Sequence, residues 1–173
     1  MTITKRDYIL IILLLIFLIG GLYGSLSVDF IEGDKAIAIA LKWFIIPSIF
    51  IGIYYAYYST ITADKKAATW KNYLKLIFMT GIFFLIFLKS FYGCLILYNC
   101  NIGTKSIVIL KGHVTSLDYP KRKKLLNSYK IVIEKDQDLQ KIKLDVPTNK
   151  YIVGQIFVKE MTLGSLGLLY SRD

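Results

Sequence analysis

Three apolar runs, each about as long as a bilayer is thick, crowd the first hundred residues and constrain this chain more than any other feature. The hydrocarbon core of a membrane takes ~20 mostly apolar residues as helix. Such stretches lie at about Tyr8 to Leu26, Ile37 to Ser59 and Leu74 to Tyr98. Backbone in lipid must satisfy its own hydrogen bonds, so each run is predicted to be a transmembrane helix. The first could pass for a signal peptide, since Lys5 and Arg6 precede it. It continues through Gly20, Gly21 and Leu22 without an Ala-x-Ala-like cleavage site, and two more spans follow, so it is read as uncleaved.

The remainder has a different character. Hydrophobic residues make up 55% of the 173, above the roughly 45–50% of soluble domains, and the excess belongs to residues 1–100. Residues 101–173 carry 13 Lys/Arg against 7 Asp/Glu, which is 20 of the 34 charges. A boundary near Asn99 to Thr104 follows, dividing a transmembrane domain (1–100) from an extracytoplasmic, β-rich domain (104–173). The second is small enough to be marginal alone and is expected to lean on the membrane or on a partner.

Orientation rests on which short loops carry Lys and Arg. Lys5 and Arg6 precede the first span, and Lys65, Lys66 and Lys71 lie between the second and third, with Lys75 at the start of the third. The other loop, Ser27-Val-Asp-Phe-Ile-Glu-Gly-Asp-Lys35, has three acids and one lysine. The amino terminus is therefore expected in the cytoplasm and the carboxyl-terminal domain outside it, in a bacterial inner membrane. Tyr54, Tyr55, Tyr57 and Tyr58 with Trp70 and Tyr73 frame the basic loop as an interfacial aromatic belt, and Trp43 marks the opposite face.

Few residues inside the spans carry distinctive chemistry. Lys89 is the one charge well inside a span, and an intramembrane cation costs at least ~2.5 kcal/mol. It either serves a function there or extends its ammonium to the headgroups. No predicted span holds an Asp or Glu to pair with it. Gly20 with Gly24, and Ser48 with Gly52, have the small-x-x-x-small spacing that lets helices approach closely. Pro47 is expected to kink the second span. Cys94 and Cys100 have neither metal-site nor redox spacing, and a disulfide between them requires the helix to end near Leu97.

After Thr104 the hydrophobic pattern alternates. Ile142, Leu144 and Val146 interleave with Lys141, Lys143 and Asp145, as in a half-buried strand. Further strands are expected at Ser106 to Asp118, Ser128 to Glu134, Tyr151 to Glu160 and Leu166 to Tyr170, with Gly112 marking a bulge or bend. The expected fold is thus a membrane protein of α+β class, with three transmembrane helices followed by a small antiparallel β-sheet or partly open β-barrel.

Tyr119-Pro-Lys-Arg-Lys-Lys124 is the sharpest local feature of this domain. Lys121, Arg122, Lys123 and Lys124 form either a solvated hairpin tip or a surface for an acidic protein or anionic lipid headgroups. Nucleic acid is not expected as a partner despite the net charge of +10, because no zinc-ligand spacing, recognition-helix pattern or aromatic RNA-binding motif accompanies it. His113 is the sole histidine, and no nucleophile elbow or phosphate-cradling glycine loop occurs. Neither an enzyme nor a cofactor is expected, and the acids at Glu134, Asp136 and Asp138 fit a hairpin turn. The sequence thus favours an envelope protein whose anchored β-domain binds a protein partner, in the manner of a toxin immunity protein or an accessory subunit of a secretion complex. A small transporter or channel subunit is the alternative.

The loop charges make a direct prediction. A reporter active only outside the cytoplasm should be active when fused after Asp173 and silent when fused after Ala67. The reverse pattern would contradict the orientation.

Overall fold

A computed structural model describes residues 5–62, 70–118, 129–136 and 139–172. Three long helices, α1 (Lys5–Leu26), α2 (Gly33–Tyr57) and α3 (Trp70–Asn101), are each long and apolar enough to cross a membrane. One turn of π-helix, Tyr58–Thr62, extends α2. All three helices overrun the predicted spans. At 32 residues, α3 exceeds the ~20 needed for a bilayer core by roughly a third of its length. The chain divides into two compact units, residues 1–23 with 39–94 and residues 24–38 with 95–173.

The first unit is a helical bundle packed by small and aromatic residues. A Cβ on Gly21 would overlap the backbone of Ser90, and one on Gly93 would overlap the backbone of Gly21, so α1 and α3 touch main chain to main chain there. Beside this contact Phe91 takes the edge of Phe17 at 4.7 Å and stacks on Phe44 at 4.4 Å. Tyr55 donates to the Leu10 carbonyl at 3.0 Å and packs on Phe83 and Phe87. Dispersion and interhelical hydrogen bonds of this kind hold helices together where lipid removes the hydrophobic drive between them. At one end, Arg6 donates to the Tyr54 hydroxyl at 2.7 Å, and the Tyr58 hydroxyl donates to Asp7. The α2 helix runs through Pro47 without interruption.

The second unit is a closed antiparallel barrel. Its strands are β1 (Phe30–Ile31), β2 (Ser106–Asp118), β3 (Tyr129–Lys135), β4 (Lys141–Val146), β5 (Ile156–Leu163) and β6 (Leu169–Ser171). Their spatial order is β1-β4-β3-β2-β5-β6, closing back on β1. Side chains alternate across the wall, so Leu110, Val114, Ile131, Ile133, Leu144 and Phe157 meet inside.

Closure corrects the expected open sheet or partly open barrel. The cause is β1, which comes from the loop between α1 and α2. Ile31 pairs with Asp145 of β4 on one side and with Tyr170 of β6 on the other, and Phe30 pairs with Ser171. Asp29 and Glu32 donate backbone hydrogen bonds to Ser171 (3.0 Å) and Leu169 (3.2 Å). Phe30 then fills the core against Phe157, ring centroids 6.4 Å apart. The 27–35 loop and the carboxyl-terminal strands therefore share one side of any membrane the helices cross.

Other strand expectations need smaller corrections. Gly112 is not a bulge: it pairs regularly with Lys135 and Phe157, and the register shift falls between Val114 and Ser116. Glycine is required at 112 because a Cβ there would run into the Glu134 carbonyl. Strand β5 starts at Ile156, later than expected. Residues 152–155 instead form a turn in which the Gln155 N–H donates to the Ile152 carbonyl at 3.1 Å and its side chain accepts from the Ile152 N–H. Strand β6 starts late as well, at Leu169, because Gly164 and Leu168 close a turn before it.

Candidate functional site

The site begins with an imbalance in strand length. Strand β2 has 13 residues, and β5 pairs with it from Ser106 to His113. On its other side β3 reaches only Gly112. Ser106 to Lys111 thus have a ladder on one edge alone, among the described residues. Backbone groups of an antiparallel strand alternate between its two neighbours. Val114 exchanges hydrogen bonds with Gln155 and Gly154, on the β5 side. Two-residue periodicity then turns the N–H and C=O of Ile107 and Ile109 towards the vacant edge. Lys111 follows the same phase, and its carbonyl accepts from the Asp136 N–H at 3.5 Å, ending the open stretch.

The side chains of this edge are also unusual. Ile107 and Ile109 are 70% and 68% exposed on the outer face of the barrel, and Ile156 and Val158 of β5 are 62% and 60% exposed. The register sets His113 against Ile156, Lys111 against Val158 and Ile109 against Glu160. Each of the four apolar residues thus stands opposite a polar one, Ile107 opposite Thr162 among them, and they make a diagonal apolar row across two strands, Ile109 being the diagonal neighbour of Val158. Contiguous exposed apolar surface on a folded domain marks an interaction site.

Behind the edge lies a cleft of about 410 Å³, within the ~300–1,000 Å³ range of ligand sites. Its floor is Val108, Leu110, Ile142, Leu163 and Leu169. Lys35, Lys135, Lys141 and Glu32 stand around it, a surplus of two positive charges. Glu32 is held by the Leu169 N–H at 2.9 Å and by Lys35 at 3.5 Å. Lys35 also donates to the Gly167 carbonyl at 2.5 Å. Lys135 donates to the Gln140 side chain at 3.3 Å, and Lys141 lies 3.7 Å from Glu134. Lys141 is exposed and Glu134 half-buried, and ion pairs at the surface contribute about 0–1 kcal/mol.

A second charge cluster serves the architecture. Lys130 donates to Asp34 and lies 3.7 Å from Asp145, while Lys143 lies 3.7 Å from Asp34. These contacts fasten the start of α2 to the outer face of β3 and β4. Partial burial pulls the Lys130 ammonium down, but the Asp34 hydrogen bond and the charges of Asp145, Asp34 and Asp118 outweigh it and leave its pKa above 10.5.

The buried end of α3 organises the β5–β6 turn. Asn99 donates to the Leu168 carbonyl at 3.2 Å and accepts from the Leu166 N–H at 2.9 Å. Tyr170 donates to the Cys100 carbonyl at 3.2 Å, and Arg172 donates to Asn101 at 3.1 Å. The turn that carries Gly167 and Leu169 into the cleft is thereby fixed.

Sequence-predicted site residues fall elsewhere. Lys121, Arg122, Lys123 and Lys124 lie outside the described residues. Lys89 is on the surface of α3 with its ammonium 4.5 Å from the Tyr92 ring centroid, a cation–π contact. Among the small residues, Gly52 lies against Thr80 and Phe84 of α3, whereas a Cβ on Gly20 would find only ordinary contact with Cys94 at 3.9 Å. The closest approach falls one residue later, at Gly21. Ser48 is fully buried. Cys94 and Cys100 are free thiols. The helix runs past both to Asn101, and six residues at ~100° each put their side chains on different faces. His113 pairs with Asp136 at 2.9 Å on the barrel surface. Among the described residues, no three of His, Cys, Asp and Glu are grouped so as to hold a metal ion.

The vacant edge and the cleft went unread in the sequence, although a signal was there. Ile107-Val-Ile-Leu110 is apolar on both faces of a strand that alternates elsewhere, and Lys105 and Lys111 bracket it in the outward phase. Comparison with family models, with curated proteins and with solved structures finds no match to this chain, so the site is read from its own chemistry.

The Lys130 cluster generates a pH prediction. A lysine whose folded pKa is raised contributes stability that is fully present below its unfolded value, 10.5, and is lost as pH rises through the higher folded value. Melting temperature should therefore fall more steeply above about pH 10 in the wild type than in Lys130→Met. Identical alkaline slopes would show that the cluster contributes nothing.

Proposed function

We propose that this protein is a membrane-anchored binding module of the bacterial envelope, without catalytic activity, whose barrel engages another protein outside the cytoplasm. The observation that carries this reading is the apolar patch of Ile107, Ile109, Ile156 and Val158, more than half exposed at every position. A domain of this size gains little from leaving four large aliphatic side chains in water, since burying each would contribute ~1.5–3 kcal/mol. A partner surface supplies that burial. Three apolar helices fix the module at the membrane, and the loop charges orient it.

Two forms of the function fit this chemistry. One is a self-protection protein that neutralises a toxin acting at the membrane or in the periplasm. The other is an accessory subunit of a secretion or envelope complex. In either, Lys121, Arg122, Lys123 and Lys124 would add attraction for an acidic partner or for anionic headgroups, at ~1 kcal/mol per charge near the membrane. A transporter or channel subunit would require Lys89 and Pro47 to line a path. Lys89 lies on the surface of α3 over Tyr92, an arrangement that lends that alternative no support.

The test is photo-crosslinking in living cells, with the reactive amino acid placed at Ile109, at Val158 or at Lys143 on the far wall of the barrel. Positions 109 and 158 should give the same discrete protein adduct and position 143 should not. Adducts to lipid alone, or equal adducts from all three positions, would remove the basis for a protein partner on this face.

A further inference from the structure

Resting on the reading of the barrel as a protein-binding module, we propose that the cleft beside the vacant edge of β2 captures an extended, acidic segment of the partner, which adds to the barrel as a strand alongside Ser106 to Lys111.

Three independent observations converge on this one occupant. The first is the backbone. Strand β5 covers one edge of Ser106 to Lys111, β3 stops at Gly112, and the polar main-chain groups of Ile107 and Ile109 face outward. Exposed strand edges of this kind accept a further strand, and natural domains usually blunt them with charge, proline or a bulge at the centre. Here the centre is Ile-Val-Ile, the lysines stand at its two ends, and the register shift lies beyond it, after Val114. Among the described residues, nothing in the central stretch opposes pairing.

The second observation is that both faces next to the edge are apolar. Val108 and Leu110 point inward to the cleft, whose floor continues through Ile142, Leu163 and Leu169. Ile107 and Ile109 point outward into the exposed patch. Side chains of an added strand would alternate between these two surfaces. Those facing inward would drop into the 410 Å³ cleft, and those facing outward would lie beside the isoleucines. A free amino acid or a lipid headgroup would use one of these surfaces and leave the other bare.

Third, the charge is complementary to an acid. Lys35, Lys135 and Lys141 border the cleft with Glu32, and the acids beside them are Glu134, 3.7 Å from Lys141, and Asp136, 4.0 Å from Lys111, which leaves the lysines in excess. Lys105 and Lys111, both exposed, bracket the edge on the outer face. A segment with an apolar centre and Asp or Glu near its ends would place its carboxylates among ammonium groups at both ends. Lys141 is exposed and its partner Glu134 half-buried, so the lysine can turn from Glu134 to such a carboxylate at a cost of about 1 kcal/mol.

Full-length protein in detergent micelles or nanodiscs tests the proposal, with binding read by fluorescence anisotropy. The probe is a blocked, labelled heptapeptide of alternating valine and threonine closed by glutamate at each end. Its counterparts carry lysine for glutamate, or N-methyl groups on alternate amides, in two versions that block one edge or the other. The acidic peptide should bind, more weakly as salt rises, because the contacts are solvent-exposed and screened over ~8 Å at physiological ionic strength. The lysine peptide should bind about tenfold or more weakly. One of the two methylated versions should lose binding to a similar extent and the other should not, since only one edge of the peptide would face β2.

Ile109→Pro is the matching change in the protein. The Ile109 N–H faces the vacant edge, so proline there removes no bond to β5 and is of a kind that edge strands accept. The variant should fold and lose the acidic peptide, and Lys135→Ala with Lys141→Ala should lose most of the salt dependence. Equal binding of the acidic and lysine peptides would overturn the charge argument. Retention by Ile109→Pro, or indifference to methylation on either edge, would overturn strand addition. Self-association that Ile109→Pro abolishes, with no peptide binding, would make a second copy of the chain the occupant and overturn the proposal. Peptide binding that fails while Ile109 still crosslinks to a protein in cells would sink this inference alone. Failure of both would sink the underlying reading as well.

Discussion

Four residues between two apolar helices, Asp29 to Glu32, carry the hydrogen bonds on which the rest of the second unit depends. Without them β4 and β6 would each present a bare edge, and Phe30 would be missing from the core. With them a five-stranded sheet becomes a closed wall. A pairing of two residues is weak in isolation, because short strands repay little of the entropy of ordering them. It holds because its neighbours fasten it. Glu32 exchanges hydrogen bonds with Leu169 through both its main chain and its carboxylate. Lys35 reaches the Gly167 carbonyl, and Asp34 meets Lys130 and Lys143. The acids of the 27–35 loop thus have a structural use in addition to any effect on orientation.

Closure at β1 also explains why an opening remains at β2. A barrel removes strand edges only where neighbouring strands are of matched length and stagger. Strand β2 begins at Ser106, five residues after α3 ends at Asn101, and it extends past the β3–β4 hairpin. Sealing the sheet at β1 and β6 leaves Ser106 to Lys111 with a ladder on one edge beside the cleft, one of several strand stretches among the described residues that pair on one side alone. Ile107, Ile109 and the lysines around them concentrate apolar surface, unpaired backbone and positive charge in one place, which is why the functional reading rests there.

Much of the architecture was legible because its signals are long. Three runs of apolar residues gave the helices, and Ser106 to Asp118 and Ile142 to Val146 gave strands close to their observed limits. Strand β1 was not legible: Phe30 and Ile31 are too few to show a two-residue period, and flanking acids made them look like a solvated loop. Closure could not be inferred without it. The site was missed for a related reason. Lys121 to Lys124 are conspicuous as a run, whereas Lys135 and Lys141 meet across the β3–β4 hairpin and Lys35 joins them only because β1 brings the start of α2 to the barrel. Gly20 and Gly24 matched a spacing rule, but the phase of α1 puts Gly21 against α3. Spacing names a face of a helix only to within one residue in 3.6.

Hydrogen exchange at the amides of Asp29 and Glu32, in the full-length protein in detergent, tests the dependence on β1 most directly. If these residues form a wall of the barrel, both amides should exchange as slowly as those of Ile131 and Ile133 in its centre, because all open only with the folded domain. Exchange at the rate of an exposed loop residue such as Lys150, with Ile131 and Ile133 still protected, would show that the sheet stands without β1 and would contradict the closed barrel.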